Sequence, residues 1–304
     1  MNQKYAVKPK LSFCMVNLNA GGFLRDCLER LPGAAGGLPW EVIVVDNGST
    51  DGSQDMLARE FPQARVIHNE KNLGYSRPMN QALQAARGDY LVQLNPDTLP
   101  GEGMFVTLVE YLEAHSLVGI CTPKVLNRDG SLQYQCRRSA ARPWDTLTYF
   151  LGLARLFPKS PLFARYLMTY LPEDQIAEVE AVSGSCMVIR RAVIEQIGYL
   201  DELFFAYQED ADFCFRARQA GWKIMYVPQA EIIHYGGHGG SRTEPYRGIF
   251  EWHRSYFNYY RKNLARETFF LVNGLMYTAM SVKLGFSLIL AALRREKVVG
   301  TKKP

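Results

Sequence analysis

The sequence predicts an α/β fold, a mostly parallel sheet flanked by helices and followed by a C-terminal helical segment. Short apolar runs of strand length alternate with helix-spaced segments over the first hundred residues, the pattern of a parallel sheet with helices on its faces. Glu41-Val-Ile-Val-Val-Asp46 is continuously apolar and β-branched between its acids, as a strand buried on both faces requires. Residues 269–293 form a long apolar stretch in which Lys283 is the single charge.

The elements follow in order. Leu11 to Leu18 reads as a strand, broken by Gly21 and Gly22. Leu24, Cys27, Leu28 and Leu31 recur at helical spacing, and Pro32 with the glycines to Gly37 ends that helix. After the strand Glu41–Asp46 come a loop from Asn47 to Ser53 and a helix carrying Met56 and Leu57. Arg65–His68 is a third strand, Met79, Leu83 and Ala86 mark a third helix, and Tyr90–Leu94 is a fourth strand. Ser139 to Val182 mixes arginine and proline with aromatics and reads as short helices and loops, with a place for an acceptor-facing insertion. Order returns with a strand at Cys186–Ile189 and a helix from Arg191 to Ile197, closed by Gly198. A helix through Phe213, Ala217 and Ala220 is stopped by Gly221. Lys223–Val227 and Glu231–His234 read as two short strands. The expected organisation is a main domain over 1–243 and a helical segment over 244–304.

The stretch 269–293 is long enough to cross a bilayer as a helix. Asn273, Ser281, Lys283 and Ser287 interrupt it, and a central lysine costs roughly 3 kcal/mol on insertion scales. Basic residues flank it: Arg261, Lys262 and Arg266 before, Arg294 and Arg295 after. An interfacial helix or helical hairpin suits this pattern better than a clean span, with a buried soluble helix the third reading.

Composition is ordinary for a globular chain, 47% apolar and 21% charged, which argues against disorder over most of its length. The net charge of +5 gathers partly at the C-terminus. A solvated tail or an anionic surface accounts for it, and no nucleic-acid recognition motif accompanies it. The six scattered cysteines form no Cys-x-x-Cys pair, which makes a zinc site improbable and fits a reducing cytoplasm. No secretory signal precedes Asn17 and Asn19.

In parallel α/β sheets, ligands bind at the carboxyl ends of the strands. Here those ends carry Asn17 and Asn19, then Asp46, then Asn69 to Gly74, then Asn95 and Asp97. An acid ending a buried strand, such as Asp46, needs a partner: a nucleobase N–H, a ribose hydroxyl, or the turn that follows it. Asp97, in Asn95-Pro-Asp97-Thr98, stands where a carboxylate can hold a divalent cation, although Asn-Pro-Asp also favours a plain turn. Glu209, Asp210 and Asp212 open a helix, whose dipole favours acids. Three acids in four residues exceed what capping needs, and their repulsion can raise one pKa toward general-base work. His234 and His238 stand in a glycine-rich loop, either a mobile surface loop or one that closes on phosphate or metal.

In this order the stretches resemble the inverting glycosyltransferase family 2, with the fold called GT-A, and within it the bacterial rhamnosyltransferase-like branch. The resemblance runs from about Leu11 to Ser241. It rests on Val44-Val-Asp-Asn-Gly-Ser-Thr-Asp-Gly-Ser53, Asn72-Leu-Gly74 with Asn80, and Gly88-Asp-Tyr-Leu-Val-Gln-Leu-Asn-Pro-Asp-Thr98. It continues through Asp129-Gly-Ser-Leu-Gln133, Val182-Ser-Gly-Ser-Cys-Met-Val-Ile-Arg190, Glu209-Asp-Ala-Asp-Phe-Cys-Phe-Arg216, Ala220-Gly-Trp222 and the His234 loop.

The resemblance implies a nucleotide-diphosphate sugar donor held by Asn17, Asn19, Asp46, Asn72, Gly74, Asn80, Asn95 and His238. Asp97 matches the last acid of the family's Asp-x-Asp motif and implies, with His234, a Mg²⁺ or Mn²⁺ site. Asn95 replaces the first acid, as is usual in this branch. Asp210 matches the catalytic base, with Glu209 beside it. The implied donor is dTDP-rhamnose, with a UDP-sugar next, and the implied acceptor is a saccharide or lipid-linked saccharide of the cell envelope. The implied place is the cytoplasm, at the inner face of the cytoplasmic membrane. Two other readings predict different sequences. A nucleotidyltransferase would carry a Gly-rich N-terminal loop with a basic residue, which Gly21-Gly22-Phe-Leu-Arg25 matches poorly. A non-catalytic scaffold would have lost Asp97 or Asp210, and both are present.

Overall fold

The computed structural model describes residues 8–237 and 245–294. The chain runs β1 (Leu11–Asn17), α1 (Gly21–Ala35), β2 (Trp40–Asp46), α2 (Ser53–Glu60), β3 (Arg65–His68), α3 (Ser76–Ala85) and β4 (Tyr90–Leu94). It continues with β5 (Thr98–Pro100), α4 (Met104–Ala114), β6 (Val118–Leu126), α5 (Pro143–Phe150), α6 (Leu153–Leu156), β7 (Ala177–Glu178) and β8 (Cys186–Arg190). The remainder is α7 (Arg191–Ile197), α8 (Glu209–Gln219), β9 (Lys223–His234), α9 (Pro245–Asn263) and α10 (Phe270–Arg294).

The strands form one sheet in the order β3-β2-β1-β4-β8-β6-β9-β5, with β7 on β9. The first half, β3 to β4, is parallel, as the β-branched runs require. Beyond β4 the sheet is mixed: β8 runs antiparallel to both β4 and β6, while β6 and β9 are parallel. β1, β4 and most of β2 are buried along their length, and α1, α3 and α4 cover them with Leu24, Leu28, Met79, Leu83, Phe105 and Leu108. All six cysteines are free and buried.

Two local expectations change. Pro32 lies inside α1, which runs on to Ala35 and closes at Gly36 with φ +56°. A proline near the end of a helix removes one N–H without breaking the turns before it. The two short strands expected around 223–234 are one strand, β9, whose break is a shift of register against β6 between Val227 and Glu231. α9, in the C-terminal segment, packs against the rest of the fold. Tyr256, Tyr259 and Tyr260 of α9 are buried in the common core, and Ser255 Oγ donates to the Ala206 carbonyl.

α10 folds back on α9 as a helical hairpin. One face packs through Met276, Tyr277 and Met280, and Lys283 Nζ lies 4.1 Å from the Trp252 ring centre and 4.9 Å from that of Phe150. The opposite face carries Leu271, Leu275, Val282, Phe286, Ile289 and Leu293, all exposed. Only 6% of its most apolar window is buried, which removes the buried-helix reading. The aromatics between Trp144 and Phe163 form a cluster, with Trp144–Phe163 and Phe157–Phe163 centroids 6.3 and 5.3 Å apart.

Candidate active site

Sheet pairing makes the first centre. Thr98 of β5 pairs with His234 of β9, and the Tyr235 N–H donates to the Asp97 carbonyl at 2.9 Å. Asp97, 5% exposed, is thereby set beside His234, with Oδ1 3.2 Å from the ring Nε2. Gln133 grips the same histidine. Its Nε2 donates to the His234 carbonyl at 2.6 Å, and its Oε1 lies 2.9 Å from Nδ1. A carbonyl only accepts, so the amide nitrogen belongs on it and Oε1 must accept from Nδ1–H. With that proton on Nδ1, Nε2 is the ring nitrogen that faces Asp97. Asn95 Nδ2 lies 3.5 Å from that Nε2. No cluster of three His, Cys, Asp or Glu side chains exists among the described residues. Two protein ligands fit a hard cation that takes its remaining oxygens from a diphosphate.

The second centre is the start of α8. Tyr207 and Gln208 both adopt left-handed backbone, φ +67° and +65°, turning the chain sharply into the helix. The three acids then have three fates. Asp212 is fully buried and tied to Arg216, Lys262 and Asn263, which anchors α9. Asp210 is pinned: Oδ2 accepts from Arg138 Nη2 at 2.8 Å and from the Gly184 N–H at 3.0 Å, and Oδ1 accepts from the Ala211 N–H. Oδ1 keeps a lone pair for a hydroxyl. Glu209 is buried with Oε2 unpartnered, and burial, followed by the Asp210 charge, pushes its pKa up to about 8. Glu209 therefore keeps its proton near neutral pH.

Tyr75 joins the centres. Its hydroxyl donates to Asn95 Oδ1 at 3.1 Å and accepts from Gln93 Nε2 at 3.2 Å, with the Gly184 carbonyl 3.4 Å away. Burial, then the Glu209 charge, raises its pKa well above the usual value, so it stays a donor. A Cβ on Gly184 would meet Gln93 Nε2 at 2.3 Å, so any larger residue there would have to displace the Gln93 amide.

The remaining predicted residues lie along the same strand ends, and most are engaged by protein. Asp46 is fully buried. Its carboxylate accepts from Asn17 Nδ2, the Ser49 N–H and Gln54 Nε2 at 2.9–3.1 Å, bracing the loop after β2. Asn19, left-handed at φ +53°, caps that loop through Thr50 and borders a hollow of about 410 Å³ lined by Gly21, Gly22, Phe23 and Asp51. Asn72 Oδ1 accepts from the Gly74 N–H and from Asn47. A Cβ on Gly74 would meet the Phe205 carbonyl at 2.3 Å. Asn80 is turned away from the strand ends, its amide spent on the Leu200 backbone at 2.9 and 3.0 Å, where it latches α3 to the loop before α8. His238 lies outside the described residues. Arg138, Tyr75 and Gln93 were not singled out from sequence, and Gln133 was noted only as part of a motif. The nearest signal for Arg138 is its place in Arg137-Arg138, a pair buried beside small residues.

The sheet, with Asp97 and His234 paired at its strand ends and Asp210 held by Arg138 at the start of α8, has the fold of the GT-A glycosyltransferases, a class that takes nucleotide-sugar donors. The comparisons name the family: residues 12–198 match glycosyl transferase family 2, and the chain belongs to it. The chain is 30% identical over 229 residues to an N-acetylglucosaminyl-diphospho-decaprenol L-rhamnosyltransferase of Mycobacterium tuberculosis, covering 71% of this chain and 73% of that one. Its fold is similar to that of the mannosyltransferase PcManGT from Pyrobaculum calidifontis, solved with GDP-Man and Mn²⁺, at TM-score 0.56 and 17% identity over 95% of this chain and 76% of that one. It is similar also to GalNAc-T7, solved with UDP, GalNAc and Mn²⁺, at TM-score 0.57 and 15% identity over 84% of this chain and 48% of that one.

Proposed function

We propose that this glycosyltransferase moves rhamnose from dTDP-rhamnose to a lipid-linked saccharide at a membrane surface, with inversion at the anomeric carbon. The observation that carries the mechanism is the pairing of Asp97 with His234 Nε2 at one centre and an arginine-locked Asp210 at the other. Asp97 and His234 would hold a Mg²⁺ or Mn²⁺, which neutralises charge on the departing diphosphate when bound. Asp210 Oδ1 takes the proton of the acceptor hydroxyl as that oxygen bonds to the anomeric carbon. The bond from that carbon to the donor phosphate breaks, and its electron pair leaves with the nucleotide diphosphate. Glu209, protonated, keeps the pair from carrying two charges. Asn19, Asn95 and the loop of Asn72 and Gly74 line the donor side, with Asp46 and Asn17 behind them.

The rhamnosyl group and the lipid-linked acceptor are drawn from the name of the mycobacterial relative, and the dTDP donor and cell-envelope role from the resemblance to the rhamnosyltransferase-like branch. The membrane reading rests on the exposed face of α10, whose other face Lys283 holds against Trp252 and Phe150. α5 also exposes Trp144, Leu147 and Phe150. These exposed apolar side chains, with Arg261 and Arg266 before α10, suit the inner, anionic face of a cytoplasmic membrane. The test is transfer from a panel of dTDP- and UDP-sugars to a polyprenyl-diphosphate saccharide in detergent, with Mn²⁺ or EDTA. Metal-dependent transfer from dTDP-rhamnose supports the proposal. Transfer from a UDP-sugar alone sinks the donor assignment.

A further inference from the structure

We infer that Gln133 is a positioning residue that fixes the tautomer of His234 and so sets the affinity of the cation site. The inference rests on the metal reading of Asp97 and His234 given above. The turn at Asn127–Ser131 brings the chain back beside β6, where the Gln133 N–H donates to the Val125 carbonyl at 2.8 Å. Its side chain faces the last residue of β9. The two contacts there have different consequences. Nε2 on the His234 carbonyl straps the backbone, whereas Oε1 on Nδ1 dictates where the ring proton sits. A free imidazole is not so constrained and can place its proton on Nε2, against Asp97. In the neutral ring Oε1 holds the proton on Nδ1, which leaves Nε2 for the cation that Asp97, 3.2 Å away, would also hold. Partners behind a ligating histidine orient the ring and raise its basicity in this way.

Two substitutions separate strap from tautomer control. Gln133→Glu keeps an acceptor for Nδ1–H and loses the donor to the His234 carbonyl. Gln133→Met loses both. Mn²⁺ binding to the full chain, followed by the electron-paramagnetic signal of the free ion with and without dTDP or UDP, is the first readout. The Gln133→Met variant should bind about 10–100-fold more weakly than wild type, and Gln133→Glu within about threefold of it. The second readout needs no metal: long-range ¹H–¹⁵N correlation of His234. Wild type and Gln133→Glu should show the Nδ1-protonated ring, and Gln133→Met should gain the Nε2-protonated form. Equal weakening in both variants would leave Gln133 only a strap. An unchanged ring and unchanged affinity in Gln133→Met would overturn the inference while leaving the metal reading intact. Wild type that binds no Mn²⁺ under any of these conditions would sink the metal reading itself.

Discussion

Replacing Arg138 with methionine tests whether Asp210 is held as the geometry says. Both side chains are nearly buried, 10% and 12% exposed, and the guanidinium donates at 2.8 Å to Asp210 and 2.9 Å to the Val182 carbonyl. Burial works to lower the Arg138 pKa, and the Asp210 charge more than offsets it. Methionine fills a similar volume but leaves Asp210 buried on two backbone N–H groups. Removing one member of a buried ion pair costs about 3–5 kcal/mol, because the survivor keeps its desolvation cost. For a chain of this size about 2 °C per kcal/mol turns that into a Tm lowered by roughly 6–10 °C. The Arg138→Met/Asp210→Asn double variant removes both charges, so its loss should fall short of the sum of the single losses by about 2 kcal/mol. Thermal unfolding of the four proteins closes the cycle. A coupling below about 0.5 kcal/mol would mean that the pair is not a mutual lock. Turnover separates lock from mere ballast: kcat should fall in Arg138→Met at temperatures where the variant is fully folded.

Asp210→Asn should lower kcat by about 10²–10⁴-fold with the donor KM little changed, as expected for loss of a general base. Asp97→Ala should abolish Mn²⁺-dependent transfer, and EDTA should do the same to wild type. Glu209 sets a pH dependence of stability. Its folded pKa of about 8 lies above the ordinary 4.5, so the folded state holds a proton that the unfolded state has released. Stability therefore falls as pH rises from about 4.5 to 8, by a few kcal/mol in all. Glu209→Gln should flatten that slope in Tm measured at pH 5 and pH 8, and a parallel slope in the variant would refute the assignment. Leu275→Ser/Phe286→Ser/Ile289→Ser should weaken flotation with phosphatidylglycerol vesicles more than tenfold, since each apolar side chain contributes about 1.5–3 kcal/mol when buried.

The parallel half of the sheet was legible because strands buried on both faces write themselves as continuous apolar runs, β-branched in β2 and mostly apolar in β4. Their carboxyl ends pointed to Asp46 and Asp97 by topology alone. The mixed half was not legible. β8 reads as a strand, but nothing local says that it enters between β4 and β6 antiparallel to both. Asp97 and His234 were each named from sequence, while their 3.2 Å approach depends on Thr98 pairing with a strand 136 residues further on. Arg138 escaped notice because its partner lies 72 residues away. Asp46 and Asn80 illustrate the converse. Both sit in family-like motifs, and both spend their polar atoms on the protein's own loops.

The two centres are parts of one hydrogen-bonded line. His234 Nε2 faces Asn95, Asn95 accepts from Tyr75, Tyr75 and Gln93 lean on the Gly184 carbonyl, and the Gly184 N–H holds Asp210. Each member is fixed by a neighbour that can play only one role: Arg138 donates, a carbonyl accepts, and a tyrosine with a raised pKa keeps its proton. Such a chain has little freedom to reorganise, which is what preorganised stabilisation of developing charge requires. It also explains the replacement of the first acid by Asn95. A carboxylate there would meet Asp97 across the same histidine, adding like charge near Asp97 and Asp210. Asparagine instead supplies an acceptor for Tyr75 and an N–H directed at His234, so the line stays closed, and the proposed cation site would keep one protein carboxylate.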